Sequence, residues 1–373
     1  MKRRSFVSTL GLAAAPLAAE TTTATTKQVM LSGDGMSLTP AEQSRLLTEL
    51  SGDIVSDNYS LGGSVEKLEK FMAEDLGKEY AVFVPTGTLA NHMAMRLLCG
   101  SRRRAIAQAE SHLYNDCGDC VQTLSGINMV PLAPGKATFT VEEVEELARR
   151  GAGSRVDVTI GAIQIESPVR RRTGEQFDYN EMKKISAWAR ANKVGMHLDG
   201  ARLYLQSAYT GISPKQYASL FDTVYISVYK CFNAPSGAIL AGPKALLENA
   251  YHLRRMFGGG IPHSWPNAAI AHHYAKGFPE RMRKAVENSE GAISTLQKDT
   301  NFEIQRIERG TNIFKLRVRG VNALVYQQRM FHAGLTANEP FNEWFTLQVN
   351  ETWARASGTE IVERFRKALW ANG

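Results

Sequence analysis

The sequence lacks the features of several protein classes. Four cysteines among 373 residues are too few for a fold that depends on disulfide bonds. There is no internal repeat, and no apolar run suits a stable membrane span, which needs about 20 residues. No second cysteine pair or histidine cluster accompanies Cys117 and Cys120, so we expect no metal site. The composition, with 43% hydrophobic residues, indicates an ordinary globular protein.

The excess of basic residues is small. The chain has 44 Lys and Arg against 37 Asp and Glu, and Lys2, Arg3 and Arg4 supply three of the seven net positive charges. A globular protein of this size needs no anionic partner to balance the remainder. The short basic runs at 102–104 and 170–172 are not interleaved with aromatic residues, so we expect no nucleic-acid partner.

The first nineteen residues follow the order of an export signal. Three basic residues precede an apolar, alanine-rich run that ends near Ala19. The Arg3-Arg4 pair resembles the twin-arginine signal, whose pathway exports folded proteins. We therefore expect a periplasmic or secreted protein, or a cytoplasmic one if the signal is not used. The alternative is a disordered basic terminus. The threonine-rich stretch up to Lys27 is interpreted as a linker.

Beyond residue 79, short apolar runs alternate with amphipathic stretches, which is typical of a mostly parallel sheet flanked by helices. The sequence predicts strands at 80–84, 156–165, 194–198, 223–227, 314–318 and 345–349. It predicts helices at 89–98, at 141–150 before Gly151, and at 179–191, the last two opened by capping boxes at Thr140–Glu143 and Asp178–Glu181. We expect an α/β fold with a large domain over 28–270 and a smaller C-terminal α+β domain over 271–373.

The first strand is followed by a turn suited to phosphate. In an open parallel sheet, ligands collect just outside the carboxyl ends of the strands. Gly87 allows a ligand to approach the backbone closely, and the helix that follows offers free N–H groups to an anion. The alternative is an ordinary helix start, with Thr88 as a cap.

Two other strand ends carry charged side chains. Asp199 closes an apolar strand before Gly200, which places its carboxylate at the edge of the sheet; the alternative is a helix cap. Lys230 follows a strand in an apolar and aromatic stretch. Such a lysine usually extends to solvent, but a desolvated amine loses its proton more readily and attacks carbonyl compounds. A lysine, an aspartate and a phosphate turn together supply the three contacts that a pyridoxal phosphate site needs.

Longer motifs surround these positions. They cover 84–91, 197–202, the stretch from Ser227 to Lys230, and Arg255 followed by three glycines at 258–260. From about Leu31 to Ile270 the chain resembles the threonine aldolase and β-eliminating lyase branch of the aspartate-aminotransferase-like (type I) pyridoxal-phosphate enzymes. The resemblance implies a lyase that cleaves the Cα–Cβ bond of a β-hydroxy amino acid or eliminates from Cβ. It also implies a homodimer or homotetramer.

The resemblance assigns three catalytic residues. Lys230 matches the lysine that forms the Schiff base with the cofactor. Asp199 matches the residue that keeps the pyridine nitrogen protonated, which makes the ring an electron sink. His112 matches an imidazole that stacks on the cofactor ring and helps to move protons.

The resemblance also assigns binding residues. Gly87 and Thr88 match the phosphate turn, and Ser227 belongs to the cofactor-binding stretch before the lysine. Arg202 matches a residue close to the cofactor and to the substrate carboxylate, and Ser32 roughly matches a serine near the same carboxylate. The expected partner is a small-molecule amino-acid substrate.

Some features of the substrate side differ from the resembled family. The segment Thr346–Glu351 has no arginine where the family carries a second carboxylate-binding one. Two other functions therefore remain open: an aminotransferase with the same site, and an exported protein that binds the cofactor without turnover. Cys117 and Cys120 form a local disulfide near His112 or are small buried residues.

Overall fold

The computed structural model describes residues 28–156 and 158–370. The predicted export signal at 1–19 and the linker up to Lys27 lie outside the described residues. No helix in the described part of the chain is long and apolar enough to cross a membrane.

The described residues form twelve strands and fifteen α-helices, besides short 3-10 turns. The strands are β1 Val29–Met30, β2 Tyr80–Val84, β3 Arg104–Gln108, β4 Asn128–Leu132, β5 Ile160–Glu166, β6 Gly195–Asp199, β7 Thr223–Ser227, β8 Ala238–Gly242, β9 Phe302–Arg306, β10 Ile313–Val318, β11 Leu335–Thr336 and β12 Trp344–Gln348. The helices are α1 Pro40–Glu49, α2 Gly63–Leu76, α3 Gly87–Cys99, α4 His112–Asn115, α5 Cys120–Ser125, α6 Val141–Ala152, α7 Tyr179–Ala191, α8 Leu203–Thr210, α9 Pro214–Ala218, α10 Lys244–Leu247, α11 Ala250–Met256, α12 Trp265–Ala275, α13 Phe278–Leu296, α14 Ala323–His332 and α15 Gly358–Trp370.

A seven-stranded sheet forms the centre of the larger part, in the order β2-β8-β7-β6-β5-β3-β4. Strands β4, β3, β5, β6 and β7 run parallel, and β8 runs antiparallel to both of its neighbours. Every residue of β5, β7 and β8 is buried, as expected for strands with helices on both faces. The predicted α/β fold with a mostly parallel sheet is confirmed.

A second, antiparallel sheet lies in the C-terminal part, in the order β12-β10-β9. The first strand of the described residues also lies in this part, because β1 pairs in parallel with β11 in a separate two-stranded sheet, Val29 opposite Leu335. The N-terminal segment thus lies against the C-terminal part before the chain enters the larger one. The domain boundary near residue 270 stays a prediction.

Several predicted boundaries hold and others shift. Strands β2 and β7 and helix α7 have the predicted limits, whereas the strand predicted at 156–165 begins only at Ile160. Gly151 does not end α6, which continues to Ala152. A Cβ atom at Gly151 would lie 2.4 Å from the carbonyl oxygen of Val158, so the glycine permits a close passage of the chain. The sequence did not predict six of the twelve strands, which are β1, β3, β4, β8, β9 and β11.

The helix caps refine the predictions. The capping box Thr140–Glu143 is present. Asp178 also caps its helix, but the Glu181 carboxylate accepts from Val141 N instead of returning to the cap. The helix after the first strand begins at Gly87 because Thr86, not Thr88, accepts from Leu89 N.

Candidate active site

A cavity of about 530 Å³ opens at the carboxyl ends of β5, β6 and β7. Four residues predicted from separate parts of the sequence line it together: His112, Asp199, Arg202 and Lys230. The parallel arrangement explains the meeting, since strands of one direction end at the same edge of the sheet.

Lys230 lies three residues beyond the end of β7. Its Nζ donates to the hydroxyl of Tyr229 at 3.1 Å and lies 4.4 Å from the centre of that ring. The backbone below it is tightly packed, because a Cβ atom at Gly35 would lie 2.3 Å from the Lys230 carbonyl oxygen. The amine is thus half-buried and directed along the cavity wall by an aromatic neighbour.

Asp199, the last residue of β6, is 1% exposed and belongs to a chain of buried hydrogen bonds. Its Oδ2 accepts from Asn91 Nδ2 at 2.7 Å; Asn91 Oδ1 meets His197 Nε2 at 2.8 Å, and His197 Nδ1 meets Thr223 Oγ1 at 2.8 Å. We call these four residues the buried chain. Burial lowers the pKa of His197 to about 4, so its ring is neutral at pH 7. The chain fixes the Asp199 carboxylate without placing a cation beside it.

His112 begins the short helix α4, where Ser111 caps Tyr114 N. Its backbone N donates to Glu166 Oε2 at 2.5 Å, and its Nδ1 faces Asp116 Oδ2 at 3.2 Å. Hydrogen bonding to Cys117 raises the pKa of His112 above its ordinary value, against the effect of burial. The imidazole therefore has a fixed position and a strengthened basicity.

Glu166 is a site residue that sequence analysis missed. It ends β5 opposite Asp199, is 3% exposed, and accepts from the backbone N of both His112 and Arg170. Burial and the nearby Asp199 carboxylate raise the pKa of Glu166. A single carboxyl group thus ties together two segments that line the cavity. An acidic residue that closes a buried strand, apolar up to that point except for Gln164, was the available signal.

Arg202 is paired with a second residue that sequence analysis missed. Its Nε donates to both oxygens of Asp34, at 3.0 and 2.9 Å, and both side chains are largely buried. Asp34 and its neighbours Gly33 and Gly35 line the cavity, whereas Ser32 lies just before them and is not part of its lining. The N-terminal segment that contains Ser32 therefore reaches the site, but with residues 33–35 rather than with Ser32 itself.

The predicted phosphate turn lies beside Tyr225. A Cβ atom at Gly87 would lie 2.0 Å from the Tyr225 hydroxyl, which explains the glycine by side-chain packing alone. Thr86 caps Leu89 N, and the N–H groups of Gly87 and Thr88 have no acceptor among the described residues at the start of this 13-residue helix. The buried Ser227 Oγ has no hydrogen-bond partner within 3.5 Å among the described residues.

Cys117 Sγ donates to Thr88 Oγ1 at 3.6 Å, and Cys117 and Cys120 are free thiols.

These residues fit pyridoxal phosphate. Lys230 offers an amine to its aldehyde, and Asp199 offers a buried carboxylate to its ring nitrogen. Gly87, Thr88 and Ser227 are not among the residues that line the cavity, but Gly87 packs on Tyr225, which is. The N–H groups at the start of α3 and the Ser227 hydroxyl would offer donors to the phosphate beside Tyr225.

The chain is similar in sequence to known proteins of one family. The model of the family described as beta-eliminating lyase matches residues 39–318. A low-specificity L-threonine aldolase of Saccharomyces cerevisiae is 29% identical over 244 residues, 65% of this chain and 62% of that protein. An alanine racemase of Cochliobolus carbonum is 32% identical over 264 residues, 70% of this chain and 63% of that protein. The match thus spans less than two thirds of the length of these relatives.

Solved structures share the fold. A candidate aromatic amino acid beta-eliminating lyase/threonine aldolase from Exiguobacterium sp. 255-15 superposes with a TM-score of 0.75 at 23% identity, covering 92% of this chain and 97% of that one. A threonine aldolase from Leishmania major superposes with a TM-score of 0.68 at 18% identity, covering 91% and 98%. At these identities the superpositions establish the fold alone.

Proposed function

The chain belongs to the beta-eliminating lyase family, and from that premise we propose that it is a pyridoxal-phosphate-dependent lyase acting on β-hydroxy amino acids. The reaction breaks the Cα–Cβ bond and releases glycine and an aldehyde, as the names of the threonine aldolases among its relatives suggest. The observation that carries the proposal is the convergence of Lys230, Asp199 and His112 on one cavity.

Bound pyridoxal phosphate supplies an aldehyde for the substrate amine and a ring that accepts the electrons released when a bond to Cα breaks. Asp199 would hold a proton at the ring nitrogen, and the buried chain keeps its carboxylate in place at the sheet edge. Lys230 binds the cofactor and is then free to move protons at Cα.

His112 takes the proton from the β-hydroxyl group as the Cα–Cβ bond breaks. Its Nδ1 faces Asp116, which stabilises the charged imidazolium that results. Arg202 binds the substrate α-carboxylate through its Nη atoms, because Asp34 occupies only its Nε. Each of these residues is fixed by a neighbour that does not itself meet the substrate.

We also propose a homo-oligomer, exported in the folded state with its cofactor. The family resemblance supports the oligomer, and the order of residues 1–19 supports export. Export of the precursor should be lost after Arg3→Lys combined with Arg4→Lys. Light scattering should give a dimer or tetramer, and a fully active monomer would contradict the oligomer.

Product analysis tests the reaction. The purified chain, loaded with pyridoxal phosphate, is incubated with a panel of β-hydroxy amino acids, and glycine and the aldehyde are measured together. Equal amounts of both products are expected from wild type and none from Lys230→Ala. Glutamate formed from 2-oxoglutarate without glycine would instead indicate the aminotransferase, and absence of any product would leave the binding protein.

A further inference from the structure

The cavity contains a second arginine that the reaction does not use. Arg170 begins the 3-10 turn Arg170–Arg172, which we call the arginine turn, and it lines the cavity with its side chain 45% exposed. Its backbone N is held by Glu166 Oε1 at 2.8 Å. Its position is therefore fixed by the same carboxyl group that fixes His112.

The hydrogen-bonding capacity of Arg170 is only partly used. Its Nη2 donates to Asp116 Oδ2, and its Nε and Nη1 have no acceptor among the described residues. Asp116 is shared, since it also accepts from Arg171 Nη1 at 3.2 Å and faces His112 Nδ1 at 3.2 Å. Although partial burial acts in the opposite direction, hydrogen bonds from Arg170 and His112 lower the pKa of Asp116, which stays ionised. One carboxylate thus serves two arginines and the His112 imidazole.

The other cavity charges are already committed. Asp34 pairs with Nε of Arg202 and leaves its Nη atoms for the α-carboxylate. Lys230 and Asp199 serve the cofactor. Glu166 holds the backbone of His112 and Arg170. Arg202 and Arg170 follow the neighbouring strands β6 and β5, so the cavity presents two guanidinium groups on separate elements. An amino acid with an uncharged side chain has an anionic group for only one of them.

We propose that the substrate carries an acidic group on its side chain and that Arg170 binds this group while Arg202 binds the α-carboxylate. The inference rests on the proposed lyase function and names its substrate class, a β-hydroxy amino acid with a second carboxylate. For 3-hydroxyaspartate the Cα–Cβ bond breaks, the hydroxyl proton leaves and a proton is returned to Cα. The products are glyoxylate and glycine, with no net oxidation.

Kinetics with matched arginine variants test the assignment. Wild type should use 3-hydroxyaspartate with a higher kcat/KM than threonine. Arg170→Ala should lower kcat/KM for 3-hydroxyaspartate roughly 10- to 100-fold, mainly through KM. It should lower kcat/KM for threonine much less, because only the lost Asp116 contact, which acts on His112, affects both substrates. Arg170→Lys should restore part of the loss. Arg172→Ala is the matched control, because Arg172 lies in the same turn but pairs with Glu175 outside the cavity.

Calorimetric binding gives a readout without turnover. L-Aspartate should bind the loaded protein more tightly than L-alanine, and Arg170→Ala should remove this difference while the melting temperature and the affinity for pyridoxal phosphate stay unchanged. Equal loss for both amino acids, or weaker binding of the cofactor, would overturn the role of Arg170. If wild type released no glycine from any β-hydroxy amino acid but still bound L-aspartate more tightly than L-alanine, the lyase function would be refuted. Arg170 would then remain a residue that binds amino acids with two carboxylates.

Discussion

The two sides of the cavity differ in burial and in how their polar groups are paired. The buried chain from Thr223 to Asp199 is almost wholly buried, and each of its polar groups has one partner. The arginine turn is half-exposed, and two of its cations, Arg170 and Arg171, share the Asp116 carboxylate. A buried polar group without a hydrogen-bond partner lowers the free energy of unfolding, whereas an exposed donor without a protein partner is hydrogen-bonded to water at little cost. The buried, fully paired side suits a cofactor that remains bound. The half-exposed side suits substrates that bind and dissociate in each turnover.

Removal of the Asp199 charge, on the buried side of the cavity, is expected to have the largest effect. Asp199→Asn keeps the size of the side chain but removes its charge, so it should lower turnover roughly 10²- to 10³-fold. The fold should remain, as judged by circular dichroism. The comparison would break if the variant kept wild-type turnover, because the buried chain would then have no electrostatic role.

Asn91 tests whether the buried chain acts as a unit. Asn91→Ala leaves Asp199 Oδ2 and His197 Nε2 without their partner and should cost about 1–3 kcal/mol of unfolding free energy. Turnover should also fall, but less than in Asp199→Asn. Thermal melting and steady-state rates measure both effects. Asn180→Ala, at an exposed position on α7, is the control. Equal stability of the two variants would contradict a coupled chain.

The smallest expected effect concerns the pH dependence set by Cys117. Because Cys117 raises the pKa of His112, Cys117→Ala should lower it. If His112 acts as a base, the rate falls as the pH drops through this pKa, so the acid limb of the pH–rate profile should move to lower pH. Cys120→Ala, which keeps the Cys117 contact, should not move it. An acid limb that stays in place would show that His112 does not act as the base, and a shift to higher pH would show that Cys117 does not raise its pKa.

The sequence predicted the parts of the site that local pattern determines. Strand ends are visible as apolar runs that stop at a polar residue, which is how Asp199 and Lys230 were found. The resemblance supplied His112 and Arg202, whose local sequence is ordinary.

Other parts depend on contacts between distant segments. Asn91 lies on a helix and meets Asp199 across 108 positions, and Asp34 meets Arg202 across 168. Neither pairing has a local signal. Strand β8 was missed because a short apolar run does not distinguish a strand from a helix, and Gly151 was misjudged because its neighbour Val158 approaches only in the fold.

The visible absorption spectrum tests the central claim most directly. Wild type and Lys230→Ala are titrated with pyridoxal phosphate, and the spectra are recorded before and after glycine is added. The account predicts a band of bound cofactor that requires Lys230 and shifts with glycine, since the cavity then holds both cofactor and amino acid. A spectrum of free cofactor in wild type, or the same bound band in Lys230→Ala, would contradict the assignment of this cavity as a pyridoxal phosphate site.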